Sequence, residues 1–320
     1  MKRCATDVSP RNDDRQALGL GVIVVLLWST VATAFKLGLA VATPLQLVAG
    51  ASLVSCLVFS LQHRLPGTAQ AASRRDLSVS NRPRTWFLGA GLGLINPLLY
   101  YPILLAGYDR LPAQVAQPLN YTWALWMALL SIPLLGQRLK PDLLLGTGLA
   151  LLGVVLLSRG DTRTEPIDPM GVALILASAL LWAGYWLLLT RLTPKAGAGA
   201  PAETGSILAV GFYWGTPLLV LWTLWQDGLP AFDLRVLGAM VWIGCIEMGV
   251  TFLLWQRALR LAREPARIGQ LIFISPLLAL APIHFLLDEP IRPAAVAALV
   301  LILTGTALAQ RLPGSDGGRT

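Results

Sequence analysis

Charge is what this sequence has least of. Only 13% of its 320 residues are Asp, Glu, Lys or Arg, against about 25% in an ordinary soluble domain. Histidine occurs twice, at His63 and His284, so a site built from several imidazoles is excluded. Cysteine occurs three times, at Cys4, Cys56 and Cys245. Without a CxxC pair or a Cys/His cluster there is neither a disulfide framework nor a zinc-type spacing. The pattern GxxxxGK[ST] is missing, and with it the ground for ATP-driven action by this chain alone. The run GAGLGL at 89–94 is no substitute, because it neither follows a strand nor opens a helix. No cofactor and no metal is expected.

What remains is apolar: 55% of the residues are hydrophobic. The formal net charge of +8 forms no patch that would engage nucleic acid. The basic residues sit between apolar runs, as membrane topology requires. Ten such runs can be drawn, at 18–40, 44–62, 85–106, 111–135, 142–157, 170–192, 204–225, 235–259, 265–286 and 294–310. Most reach the roughly 20 residues that span a hydrocarbon core. The fifth and tenth are shorter and call for local thinning or snorkelling. With the N-terminus inside, 19 of the 25 basic residues fall on the inner side. That bias fits an all-α, multi-pass protein of a bacterial-type inner membrane with both termini cytoplasmic. Ala40-Val41-Ala42 looks like a signal-peptide cleavage site, but Lys36 interrupts the run before it, and the run exceeds an ordinary h-region of about 7–15 residues. The expected organisation is a tail at 1–17, a five-helix unit at 18–157, an outer connector at 158–169, a second five-helix unit at 170–310 and a tail at 311–320.

The two units repeat each other. Pro112, Ala113 and Gln117 match Pro265, Ala266 and Gln270; Pro141 matches Pro293, and Gly153 matches Gly305. LLWST at Leu26–Thr30 recurs as LLWAG at Leu180–Gly184, so that Trp28 matches Trp182. A unit with an odd number of crossings, followed by its copy, must lie inverted in the bilayer, and inverted repeats are a hallmark of secondary transporters.

These repeated stretches resemble the EamA-type unit of the drug/metabolite transporter superfamily over roughly residues 18–310. Gln117–Trp123 (QPLNYTW) and Gly136–Arg138 (GQR) are most similar to the aromatic amino-acid exporters. Two departures stand out. The acid of the family's Leu-Gly-Glu turn is kept at Glu289 but is Gln137 in the first half, and the exporters' proline after Trp123 is Ala124, which predicts a less kinked fourth helix. The resemblance implies ten helices around a central cavity lined mainly by helices 1, 3, 4, 6, 8 and 9.

Glu247 is the sharpest candidate, with no other charge for nine residues on either side. An ionised carboxylate at the bilayer centre is costly, by about 3 kcal/mol on the insertion scale. It must face protein or water, or stay protonated. It is therefore a candidate to carry a coupling proton or to bind a substrate ammonium; the bland alternative is a protonated acid bonded to backbone. Asn96, at a similar depth in the third segment, precedes Pro97 and would loosen the helix there. Gln117, Asn120 and Tyr121 share a helix face by their spacing, and Trp123 follows. Gln270, the repeat counterpart of Gln117, and Ser275, about one turn beyond it, add to the set. Trp28, Tyr100, Trp182 and Tyr185 supply aromatic faces for an amphipathic or cationic metabolite. Each of these can instead be helix–helix glue. Trp86, Trp222 and Trp225 fit an interfacial belt. Lys36 is expected to snorkel, and Asp288-Glu289 to form a solvated turn or to start a helix. Gly89 and Gly93 allow close helix approach and are a weak signal for a homodimer.

The expected function is secondary transport, as an exporter, of small metabolites such as amino acids, with the lipid bilayer and protons as further partners. A receptor or assembly factor is disfavoured by short loops. A lipid-modifying enzyme is disfavoured because a single buried acid and His284 make poor acid–base partners.

Overall fold

The computed structural model describes residues 10–62, 83–135, 141–159, 167–192, 200–231, 233–262, 268 and 271–309. Among the described residues there are helices and turns and no strand. The first half holds α1 (Pro10–Trp28), α2 (Val31–Leu39), α3 (Pro44–Gln62), α4 (Pro83–Ile95), α5 (Tyr100–Arg110), α6 (Ala113–Asn120), α7 (Trp123–Leu135) and α8 (Pro141–Arg159). The second holds α9 (Pro169–Leu192), α10 (Ala200–Gln226), α11 (Leu234–Trp242), a π-helical segment (Ile243–Val250), α12 (Thr251–Leu261), a 3-10 turn (Leu271–Ile274), α13 (Ser275–Leu287) and α14 (Pro293–Ala309). Proline opens α1, α3, α4, α8, α9 and α14. At a helix's first position the missing N–H would have no partner anyway, so proline marks the start at no cost.

Among the described residues, six stretches are long and apolar enough to cross a membrane: Asp13–Leu39, Pro44–Leu61, Pro83–Arg110, Pro169–Leu192, Ser206–Gln226 and Leu234–Trp255. Shorter apolar helices cover Leu144–Leu156, Leu271–Leu287 and Pro293–Leu308. Large apolar side chains point outward. Phe87 is 80% exposed, Trp225 81% and Phe285 76%, far more apolar surface than a water-soluble monomer presents.

Several of the segments that sequence periodicity draws as single helices are broken. The first interrupts at Ser29–Thr30, the third at 96–99 and the fourth at 121–122; the eighth widens to π geometry and the ninth contains a 3-10 turn at Leu271–Ile274. The fourth helix corrects the expectation from Ala124. Pro118 interrupts the hydrogen-bond ladder, and the Thr122 hydroxyl donates back to the Leu119 carbonyl at 2.7 Å, so the helix breaks even without a proline after Trp123.

Packing alternates between the halves. α14 runs along α8, α10 along α4 and α3, α9 along α5 and α7, and α1 along α12. Small residues permit the closest approaches. A β-carbon on Gly93 would run into the carbonyl of Gly211, and one on Gly153 would meet Ile302 and the Ala298 carbonyl at 2.7 and 2.8 Å. Gly89 likewise faces Val210, so the Gly89/Gly93 pair seats α4 on α10 inside the chain.

Candidate functional site

The helix breaks converge. A cavity is lined by Trp28, Val31, Ala32 and Phe35 on either side of the first break. Tyr100, Leu104 and Tyr108 follow the second, and Gln117, Asn120, Tyr121 and Trp123 flank the third. Glu247 lies in the π segment, Phe252 just after it, Ile272 in the 3-10 turn, and Trp182 on the unbroken α9. Local chemistry accounts for the breaks. Ser29 and Thr30 hydroxyls donate to the carbonyls of Leu26 and Leu27 at 2.6 and 2.7 Å, a back-bonding that bends helices. Pro97, joined to Asn96 by a cis bond, has no N–H to continue its ladder. Thr251 donates to the carbonyls of Ile246 and Glu247, where the π turn has displaced the regular pairing. Irregular backbone at membrane depth is tolerated where protein surrounds it or a cavity receives it.

Trp182 organises the apolar wall. It stacks on Tyr100 (4.5 Å between ring centroids, 23° between planes) and on Tyr185 (5.8 Å, 16°). Phe252 lies 5.9 Å from it and in turn meets Trp28 edge-on at 6.4 Å. The polar side is thin. Glu247 is the one charged lining side chain among the described residues, and the Tyr101 hydroxyl reaches its Oε1 only at 3.5 Å, the limit of a hydrogen bond. Among the described residues three buried atoms on lining residues have no partner, Gln117 Oε1, Asn120 Oδ1 and Trp28 Nε1, although the Asn120 amide faces the Tyr100 hydroxyl. A buried polar atom left so costs about 1–3 kcal/mol, which a bound ligand or water would offset.

The structure thus gathers Trp28, Tyr100, Gln117, Asn120, Tyr121, Trp123, Trp182 and Glu247 around one space. Asn96, Tyr185 and Ser275 do not line it. They lie in the packed interior at 1%, 2% and 0% exposure, with the Asn96 amide facing the Tyr185 hydroxyl and Ser275 facing the Tyr121 hydroxyl, both outside hydrogen-bond geometry. Gln270 and Gln137 fall outside the described residues. Sequence reasoning missed Phe35, Leu104, Tyr108 and Phe252. Glu247 and Phe252 are five residues apart, which places them on one face only in π geometry.

One end of the bundle is, by contrast, tied shut. Lys36 does not snorkel; its Nζ donates to the carbonyls of Tyr108 and Leu111 at 3.0 and 3.2 Å, a cation at the C-terminus of α5. Glu289, rather than sitting in a solvated turn, accepts from the backbone N–H of Ala113 at 2.8 Å and of Gln114 at 3.3 Å, an anion at the N-terminus of α6. The Gln114 side chain donates to Pro290 O at 2.9 Å and accepts from Arg292 N at 3.1 Å. Thr43 and Gln46 bond Asp227 and Gly228 nearby. Arg110 pairs with Asp168 at 3.0 Å; that bond, with one from the backbone N–H of Met170, holds the Asp168 carboxyl below the usual carboxylate range.

The family model for EamA-like transporters matches residues 15–159 and again 169–310. The chain belongs to the EamA-like transporter family. It is a multi-pass membrane protein of the drug/metabolite transporter type. Among curated proteins it is similar to the aromatic amino acid exporter YddG of Ancylobacter novellus, 26% identical over 247 residues, covering 69% of this chain and 82% of that one. It is also similar to the uncharacterized transporter YvbV of Bacillus subtilis, 22% identical over 226 residues, 70% and 72% covered. A probable amino-acid metabolite efflux pump of Escherichia coli is 23% identical over 220 residues, 67% and 73% covered. A solved crystal structure shares the fold, with a TM-score of 0.61 at 24% identity over 92% of this chain and 96% of that one.

Proposed function

We propose that the chain is a secondary transporter that exports small metabolites, amino acids or related amphipathic compounds, by alternating access of two inverted five-helix halves. The carrying observation is the cavity: helices from both halves break around it, and polar atoms lining it have no protein partner. Paired packing supports the inverted arrangement. α9 of the second half lies on α5 and α7 of the first, while α1 of the first half lies on α12 and α13 of the second, the exchange that a two-fold axis in the membrane plane would produce. The tied end then faces outward, both termini face the cytoplasm, and the membrane is the inner one. Glu247 is the proposed proton-coupling group, since a carboxyl shielded by protein can hold or release a proton as its surroundings change. The relatives named as amino-acid exporters support the substrate class.

Counterflow in proteoliposomes with a panel of amino acids, run with and without a pH gradient, tests this. Movement of at least one amino acid is expected; movement of none contradicts the amino-acid reading. For the topology, cysteines placed at Arg74 and Arg263 should be modified from the same side, and modification from opposite sides contradicts ten crossings.

A further inference from the structure

The cavity has one sign of charge, and that sets which end of a substrate it can hold. Among the described residues Glu247 is the one charged side chain lining it. Three cations on the tied side are engaged elsewhere, Lys36 with two backbone carbonyls at 3.0 and 3.2 Å, Arg110 with Asp168 at 3.0 Å and Arg235 with Asp233 at 2.8 Å, and Arg292 does not line the cavity. Among the described residues a carboxylate entering this space would meet an acid and no cation, and when that acid is ionised the like charges repel strongly in a poorly solvated site. An ammonium meets the opposite. It has three donors and no acceptor, and the cavity offers the Glu247 carboxyl and two acceptors without partners, Gln117 Oε1 and Asn120 Oδ1. The rings of Trp28, Tyr100, Trp182 and Phe252 line the same space, and indole faces are the best cation–π partners.

Resting on the transporter reading above, we propose that the cavity recognises its substrate by an ammonium group beside an apolar or aromatic body, and disfavours a free carboxylate. The preferred class is primary amines and amino-acid derivatives whose carboxyl is absent or masked as an amide, with zwitterionic amino acids held more weakly.

The test is equilibrium binding to the purified full-length protein in nanodiscs with a matched series at neutral pH: phenethylamine, phenylalaninamide, phenylalanine and 3-phenylpropionate. The expected order places the first two at least about tenfold tighter than phenylalanine, a difference of about 1.4 kcal/mol, with no binding of 3-phenylpropionate. Glu247→Gln should abolish the preference for the amines, and Glu247→Asp should retain it. The wild-type series decides without relying on either variant's folding. Phenylalanine binding as tightly as phenethylamine, or no member of the series binding, overturns the proposal. Either result is separable from failure of the transporter reading, which would appear as no counterflow of any amino acid or amine in proteoliposomes.

Discussion

The tied end and the cavity use the same kinds of side chain in opposite ways. At the tied end, Gln114 is 2% exposed and both ends of its amide are bonded, to Pro290 O and to Arg292 N. In the cavity, Gln117 is 4% exposed and its Oε1 has no partner. The two glutamines sit on the same helix, α6, one turn apart. The charges divide likewise. Glu289 caps two backbone N–H groups, whereas Glu247 has only a marginal contact with Tyr101. Polar groups whose partners lie inside the chain hold a conformation. Those left without partners, at a free-energy cost, are available to a ligand. Neighbouring residues of one type can therefore carry different work, decided by what they face.

Removing the charge from the cavity should have the largest effect. Glu247→Gln keeps the shape and leaves a protein that elutes as a single species, but counterflow should fall about tenfold or more, since a hydrogen bond to a charged group contributes about 1.5–3 kcal/mol. Normal transport by this variant at every pH would remove Glu247 from the mechanism. Next comes the tied end. Gln114→Leu leaves the Arg292 N–H and part of Glu289 without partners, and should destabilise by about 2 kcal/mol, visible as a drop of several degrees in the thermal midpoint. A smaller effect is expected of Lys36→Met. With the α5 carbonyls released, a cysteine at Leu111, which is 1% exposed, should react severalfold faster with a membrane-impermeant maleimide applied from that side, in a background without Cys4, Cys56 and Cys245. An unchanged rate would mean that Lys36 does not hold that end closed.

Much of the cavity is legible in the sequence, because intact helical turns obey simple spacing. Gln117, Asn120 and Tyr121 fall on one face of one turn, and the match of Trp28 with Trp182 follows from the repeat. Legibility fails at the breaks. Tyr108 and Phe35 lie beyond them, where the phase of the helix has been reset, and Phe252 needs the π turn. It also fails one layer behind the wall. Asn96 and Tyr185 have the same polarity as lining residues, but the packing of α4, α5 and α9 turns them inward. The roles of Lys36 and Glu289 depend on partners 72 and 176 residues away, which no local pattern encodes.

The most direct test of this division is the stability of the double variant Gln117→Leu/Asn120→Leu set beside Gln114→Leu. If the cavity amides are held for a ligand, the double variant should lose much less stability than Gln114→Leu while losing counterflow, because two of the buried atoms it replaces, Gln117 Oε1 and Asn120 Oδ1, have no partner. If it melts as far below wild type as Gln114→Leu does, the cavity amides are holding the fold together and the account is contradicted.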